Sequence, residues 1–376
     1  MRVRRILALT VVLLICLPLS AGAQTTELYE EQLAASGAGE LVERLPADAQ
    51  ELLKTLKLDG FSQDGYTQLE LSAVLNTLLS FLRENTAAPM AALSSVLAVV
   101  VLSAMFGGLQ GLADRTPLRQ TYQTVSVLAA AGMLLGSFGS LVRAVQAAVD
   151  SVNVFMLSFV PVYGVIVASG GSPTAAVSYQ TTLLAAAELF TQSVRAAVLP
   201  ILLVSLALGC VGTVVDGFCL NSFSTTFYKI VLWGLGLFCT VFSGVLSVQQ
   251  MVAAAGDSVS SRAVKFSLAS LVPVVGGVLS EAYSTVMGCA GLLRSTVGGF
   301  GVVSTLAILL PPLLSCVGWS VCLSLGGNAA ALFKLDALDK LCRCIGGAVR
   351  VLIAVLAALG LMMIVSTSVI VFAGRR

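Results

Sequence analysis

Apolar residues in this chain gather in runs of about 20, parted by short polar stretches. A helix rises 1.5 Å per residue, so about 20 apolar residues cross the roughly 30 Å hydrocarbon core of a bilayer. The runs predict spans near 90–112, 122–142, 153–170, 196–216, 229–248, 266–284, 298–325 and 351–373. The expected fold is an all-α polytopic membrane protein with about seven to eight transmembrane helices over 88–376. If one segment is re-entrant the count is seven and the C-terminus changes side.

The first apolar stretch is different. Arg2, Arg4 and Arg5 precede Ile6 to Leu19, and Ala21-Gly22-Ala23 follows with small residues. This is the order of a secretory signal, and about 14 apolar residues are few for an anchor helix, so 1–23 reads as a cleaved signal peptide. Residues 24–87 then form a small acidic extracytoplasmic region. Within it Ala47 to Leu58 is a short amphipathic helix. Thr67 to Glu70 is a capping box ahead of an apolar stripe at Leu71, Val74, Leu75, Leu78, Leu79 and Leu82.

Composition supports a membrane body: 57% of the 376 residues are hydrophobic and 11% charged, against about a quarter charged in soluble domains. Eleven of the 19 acids lie before residue 88, leaving a mildly basic remainder with no block dense enough for nucleic acid. Basic residues set orientation. Arg115 and Arg119 follow the first span, Arg262 and Lys265 the fifth, and Lys334, Lys340 and Arg343 the seventh. With an exported N-terminal region all three loops, including 326–350, fall on the cytoplasmic side. Arg143 and the terminal Arg375-Arg376 fall on the other side and run against the rule.

Candidate chemistry is sparse. The chain has no histidine, which removes the commonest general base and metal ligand. Nine cysteines are present without a CxxC pair, most of them inside apolar runs where a thiol acts as a small hydrophobe. There is no HExxH, no GxSxG and no phosphate-binding loop with its Lys. No catalytic residue, metal ligand or cofactor site is expected.

A weak internal duplication relates 122–216 to 229–325. Ser158 to Gly164 matches Ser270 to Gly276 at five of seven positions, and Arg143-Ala144-Val145-Gln146 parallels Arg262-Ala263-Val264-Lys265. Apolar sequences also match by chance. A true repeat with three spans per unit, an odd number, would invert the second unit against the first. Each unit carries a Pro/Gly-interrupted segment, Pro161/Gly164 and Pro273/Gly276/Gly277. Paired broken segments in inverted repeats mark gate or path-lining positions; the plainer alternative is two kinked helices. Glu188 and Arg195, seven apart on one helix face, recur loosely as Glu281 and Arg294. A mid-bilayer charge costs about 2.5–3.5 kcal/mol, so these either pair inside the membrane or, as the polarity of 174–195 and 281–296 favours, lie at its interface.

From Tyr228 onward the sequence resembles the stage III sporulation protein AE family of endospore-forming Firmicutes. The residues that carry the likeness are Phe227-Tyr228-Lys229, Ser247-Val248-Gln249-Gln250, Arg262 to Phe266, and Val272-Pro273-Val274-Val275-Gly276-Gly277. Ser280-Glu281-Ala282, Thr285-Val286, Gly288, Leu292-Leu293-Arg294 and Val297-Gly298 complete it. The resemblance is strongest over 225–300 and weak before residue 90; the Cys-rich C-terminal part and 326–350 depart from it. It implies a subunit of the channel complex linking mother cell and engulfed forespore, seated in the mother-cell membrane facing the forespore. The implied partners are a motor-like ATPase, a ring-forming protein and small membrane subunits, besides the lipid bilayer. A self-sufficient secondary transporter built on the repeat is the competing expectation.

Overall fold

A computed structural model describes residues 33–55, 87–110, 116–214, 220–271 and 276–373. Nine α-helices are defined among them: α1 Glu40–Glu43, α2 Ala47–Thr55, α3 Ala87–Gln110, α4 Thr116–Ser169, α5 Pro173–Ser193, α6 Leu199–Val214, α7 Leu220–Leu271, α8 Gly276–Leu332 and α9 Asp336–Ala373. No strand occurs among the described residues. The protein is an all-α, multi-pass membrane protein. Five stretches are long and apolar enough to cross a membrane, Thr124–Ser169, Pro173–Thr213, Phe223–Val264, Val286–Leu332 and Asp336–Val371, joined by the shorter Pro89–Ser103.

The helices are fewer and longer than the apolar runs suggest. Predicted spans 122–142 and 153–170 are one helix, α4. The stretch 143–152 between them dips in hydropathy but keeps helical periodicity. Val145, Ala148, Val149 and Val152 are buried at i, i+3, i+4 and i+7 while Arg143 turns outward. Likewise 249–265 continues α7, and the reading of 326–350 as a loop reduces to a turn at 333–335. In that turn Lys334 takes a left-handed φ of 56°. The amides of Lys334 and Leu335 bond back to Ala331 and Ala330 at 3.0 Å, which closes α8 with a Schellman motif.

Two corrections follow from this merging. Each candidate repeat unit contains two long rods, α4 with α5–α6 and α7 with α8, instead of three spans. An even number leaves the second unit running in the same direction as the first, so the inversion does not arise. Arg262 lies on α7, 14 residues before α8 begins at Gly276, and Lys334 follows the end of α8 at Leu332, so a single crossing by α8 would put them on opposite sides of the bilayer.

α8 and α9 pack along each other at the centre, with α4, α5 and α7 around them. The seat between α4 and α8 is specific. Phe155, Phe159 and Tyr163 stack at successive turns, with centroids 5.5 and 5.3 Å apart. They lie over Gly301 and Gly298, where an added Cβ would meet Phe159 Cζ at 2.2 Å and Tyr163 Oη at 2.7 Å. Glycine is required there by close approach.

Between α5 and α6, Val194–Val198 forms a π-helical turn. Pro200 explains it: proline has no N–H to donate and crowds the carbonyl of Ala196 four residues back, so the turn widens.

In the N-terminal region, α2 buries Ala49, Leu52 and Leu53, packs on α8, and shares one core with the bundle. The signal peptide, the capping box Thr67–Glu70 and the stripe Leu71–Leu82 lie outside the described residues.

Candidate functional site

Three polar constellations interrupt the apolar bundle. The first runs along the outer groove between α4 and α5. Glu188 accepts from Asn153 Nδ2 at 3.2 Å. Arg195, carried on the π turn, donates from Nε and Nη2 to Asp150 Oδ1 at 3.1 and 2.5 Å. Glu188 and Arg195 do share one face, as their spacing predicts, yet each bonds across to α4 and not to the other. Both partners of the ion pair stay about half exposed, 55% and 42%. In water such a pair stabilises little; against lipid, mutual neutralisation offsets part of the cost of each charge.

The second lies at the interrupted segment of α4. Pro161 sits inside the helix, and Gln180 of α5 donates to its carbonyl at 3.2 Å. Gly164 makes room for this, since a Cβ there would fall 1.8 Å from Gln180 Nε2. Of the matched segment, Gly276 and Gly277 form the first residues of α8, and Pro273 lies outside the described residues. The two segments do not come together. Tyr163 rests on Gly298, which is 22 residues along α8 from Gly276, or about 33 Å of helix. In its interior α8 carries a different pair, Pro311 and Pro312.

The third is buried where α4, α5, α8 and α9 meet. Arg294, 5% exposed, donates from Nη2 to the carbonyl of Ile370 on α9. The hydroxyl of Tyr163 faces its guanidinium. Tyr179 meets Tyr163 edge-on at 5.4 Å and lies beside Ser366 and Thr367. Near it Asp257 of α7 caps α5 from another helix: its two carboxylate oxygens accept the amides of Thr174 and Ala175 at 3.0 and 2.9 Å. Anionic oxygen at a helix N-terminus satisfies free N–H groups and the helix dipole together. Gln250 adds a bond to the carbonyl of Ala175 at 3.3 Å, and Gln249 contacts Thr182. Glu281 is on α8, but its side chain lies outside the described residues.

Asp150, Asn153, Gln180 and Asp257 escaped the sequence reading. For the two acids a signal existed, since both are lone carboxylates inside long helical stretches, the criterion that singled out Glu188. Placing 143–152 and 249–265 in loops hid them.

Comparison with known proteins gives a consistent result. The family described as stage III sporulation protein AE matches residues 54–374. A stage III sporulation protein AE from Bacillus subtilis (strain 168) is 24% identical over 308 residues, covering 80% of this chain and 75% of that protein. No solved structure matches the chain.

Proposed function

The chain belongs to the stage III sporulation protein AE family, with a role in stage III of sporulation, and from that premise we propose that it is a non-enzymatic membrane subunit of a channel or export complex between mother cell and forespore. It acts in the mother-cell membrane facing the forespore, with 24–87 outside the cytoplasm. Its partners are a motor-like ATPase, a ring-forming protein and further membrane subunits, and its task is to sustain forespore development after engulfment.

The observation that carries this reading is the outer face of α7. Large apolar side chains are exposed along its length, including Phe223, Trp233, Val241, Met251, Val259 and Phe266. From Phe223 to Phe266 the helix runs about 65 Å, twice the hydrocarbon thickness. Lipid covers only half of such a face; the remainder calls for protein. A self-sufficient transporter has no need of it.

The test is deletion of the gene in a spore-former, with tagged protein recovered from sporulating cells. Arrest after engulfment, normal vegetative growth and co-purification of membrane and ATPase subunits are expected. A vegetative growth defect, with the protein recovered alone, would overturn the proposal in favour of a housekeeping transporter.

A further inference from the structure

Arg294 and Asp257 are the buried charged residues among those described. Both carboxylate oxygens of Asp257 are taken by the start of α5. Arg294 has no carboxylate in contact with it among the described residues; one N–H reaches the carbonyl of Ile370. A guanidinium does not deprotonate in proteins, so its charge stays in a low-dielectric interior. Around it, four buried polar atoms complete no hydrogen bond within the described structure: Arg294 Nε, Tyr163 Oη, Tyr179 Oη and Thr367 Oγ1. All four can donate. Buried polar groups are nearly always satisfied; here orphans gather around one buried cation whose neighbouring carboxylate, Asp257, is spent on the α5 cap, which points to a missing partner.

We propose that this centre binds a small monovalent anion, held by Arg294 and by the hydroxyls of Tyr163, Tyr179 and Thr367. Water would satisfy the donors but leave the charge; an anion does both. The walls set the size. The Tyr163 and Tyr179 rings close one side, and on the other a Cβ at Gly298 would meet Tyr163 Oη at 2.7 Å and Thr367 Cγ2 at 2.9 Å. Walls this close favour a small ion of halide size over a polyatomic one. Bound there, it ties α4, α5, α8 and α9 together through one centre.

The test uses the full chain purified in detergent, with sodium gluconate exchanged stepwise for sodium chloride at constant ionic strength. Thermal stability should rise with chloride and saturate, as for a ligand that binds only the folded state. Thr367→Val and Tyr179→Phe keep the charge and remove one donor each; half-saturation should move up about tenfold, the value of one charge-assisted hydrogen bond. Arg294→Gln should abolish the response. Equal stability in both salts would overturn the proposal. So would a response left unchanged in Thr367→Val and Tyr179→Phe, a readout that holds even if Arg294→Gln does not fold. A linear rise shared by all variants is a general salt effect and has the same consequence.

Discussion

Gln180 donates to the carbonyl of Pro161 across 3.2 Å, and its side chain fills the volume that any residue larger than glycine at 164 would claim. Proline has no N–H to give the carbonyl four residues back, while Gln180 of α5 binds the carbonyl of Pro161 itself. The bond and the missing Cβ are two halves of one arrangement.

That arrangement is open to a double-mutant cycle. Gly164→Ala should lower stability by about 1–3 kcal/mol, because Gln180 must leave its place and its bond. In a Gln180→Ala background the same change should cost less than half as much, since the obstacle is gone. Chemical unfolding in detergent measures both; equal costs in the two backgrounds would refute the coupling.

A harsher outcome is expected where the obstacle is rigid. At Gly301 an added Cβ meets three ring atoms of Phe159 between 2.2 and 2.8 Å. Phe159 is fully buried and stacked on both sides, so Gly301→Ala should cost about 3 kcal/mol, the upper end for overpacking. Gly291→Ala on the same helix meets nothing within 4 Å and should be neutral or gain up to about 1 kcal/mol from helix propensity. Reversal of that order would show that α4 and α8 are not seated as described.

The cross-helix cap gives a graded prediction. Asp257→Asn keeps the shape and one acceptor but loses the charge, and should cost about 1 kcal/mol. Asp257→Ala removes cap and charge together and should cost about 2 kcal/mol. The loss should appear as faster amide exchange over 174–177, at the start of α5. Uniform loss across the bundle, without that local signature, would argue against a capping role.

Topology can be read by labelling single introduced cysteines with an impermeant reagent. Ser172 and Arg262 both stand near the Asp257 cap, whereas Lys334 closes the far end of α8. Positions 172 and 262 should label from one side of the membrane and position 334 from the other. Labelling of 262 and 334 from the same side would restore the eight-span order and remove the long-rod architecture.

Helical class and membrane insertion were legible in the sequence because both follow from apolar run length. Connectivity was not. A dip in hydropathy at Arg143–Asp150 looks like a loop to a window average, yet Val145, Ala148, Val149 and Val152 carry the buried stripe straight through it. Periodicity, weighed over the dip, would have joined the two spans and corrected the parity of everything after them. The buried centre was half legible. Arg294 stood out as a charge in an apolar setting, but Tyr163, Tyr179 and Thr367 lie 131, 115 and 73 residues from it along the chain, on three other helices, and only packing collects them.

The aromatic ladder of α4 also governs how this protein is able to move. Its rings recur every fourth residue, and the notches that receive them, Gly298 and Gly301, are three apart on α8. Along the axes the rings stand about 6 Å apart and the notches about 4.5 Å, so a slide that carried Phe159 to the notch now holding Tyr163 would leave Phe155 short of the notch now holding Phe159. The two spacings act as a key with unequal teeth, and one lengthwise register of α4 on α8 seats both rings.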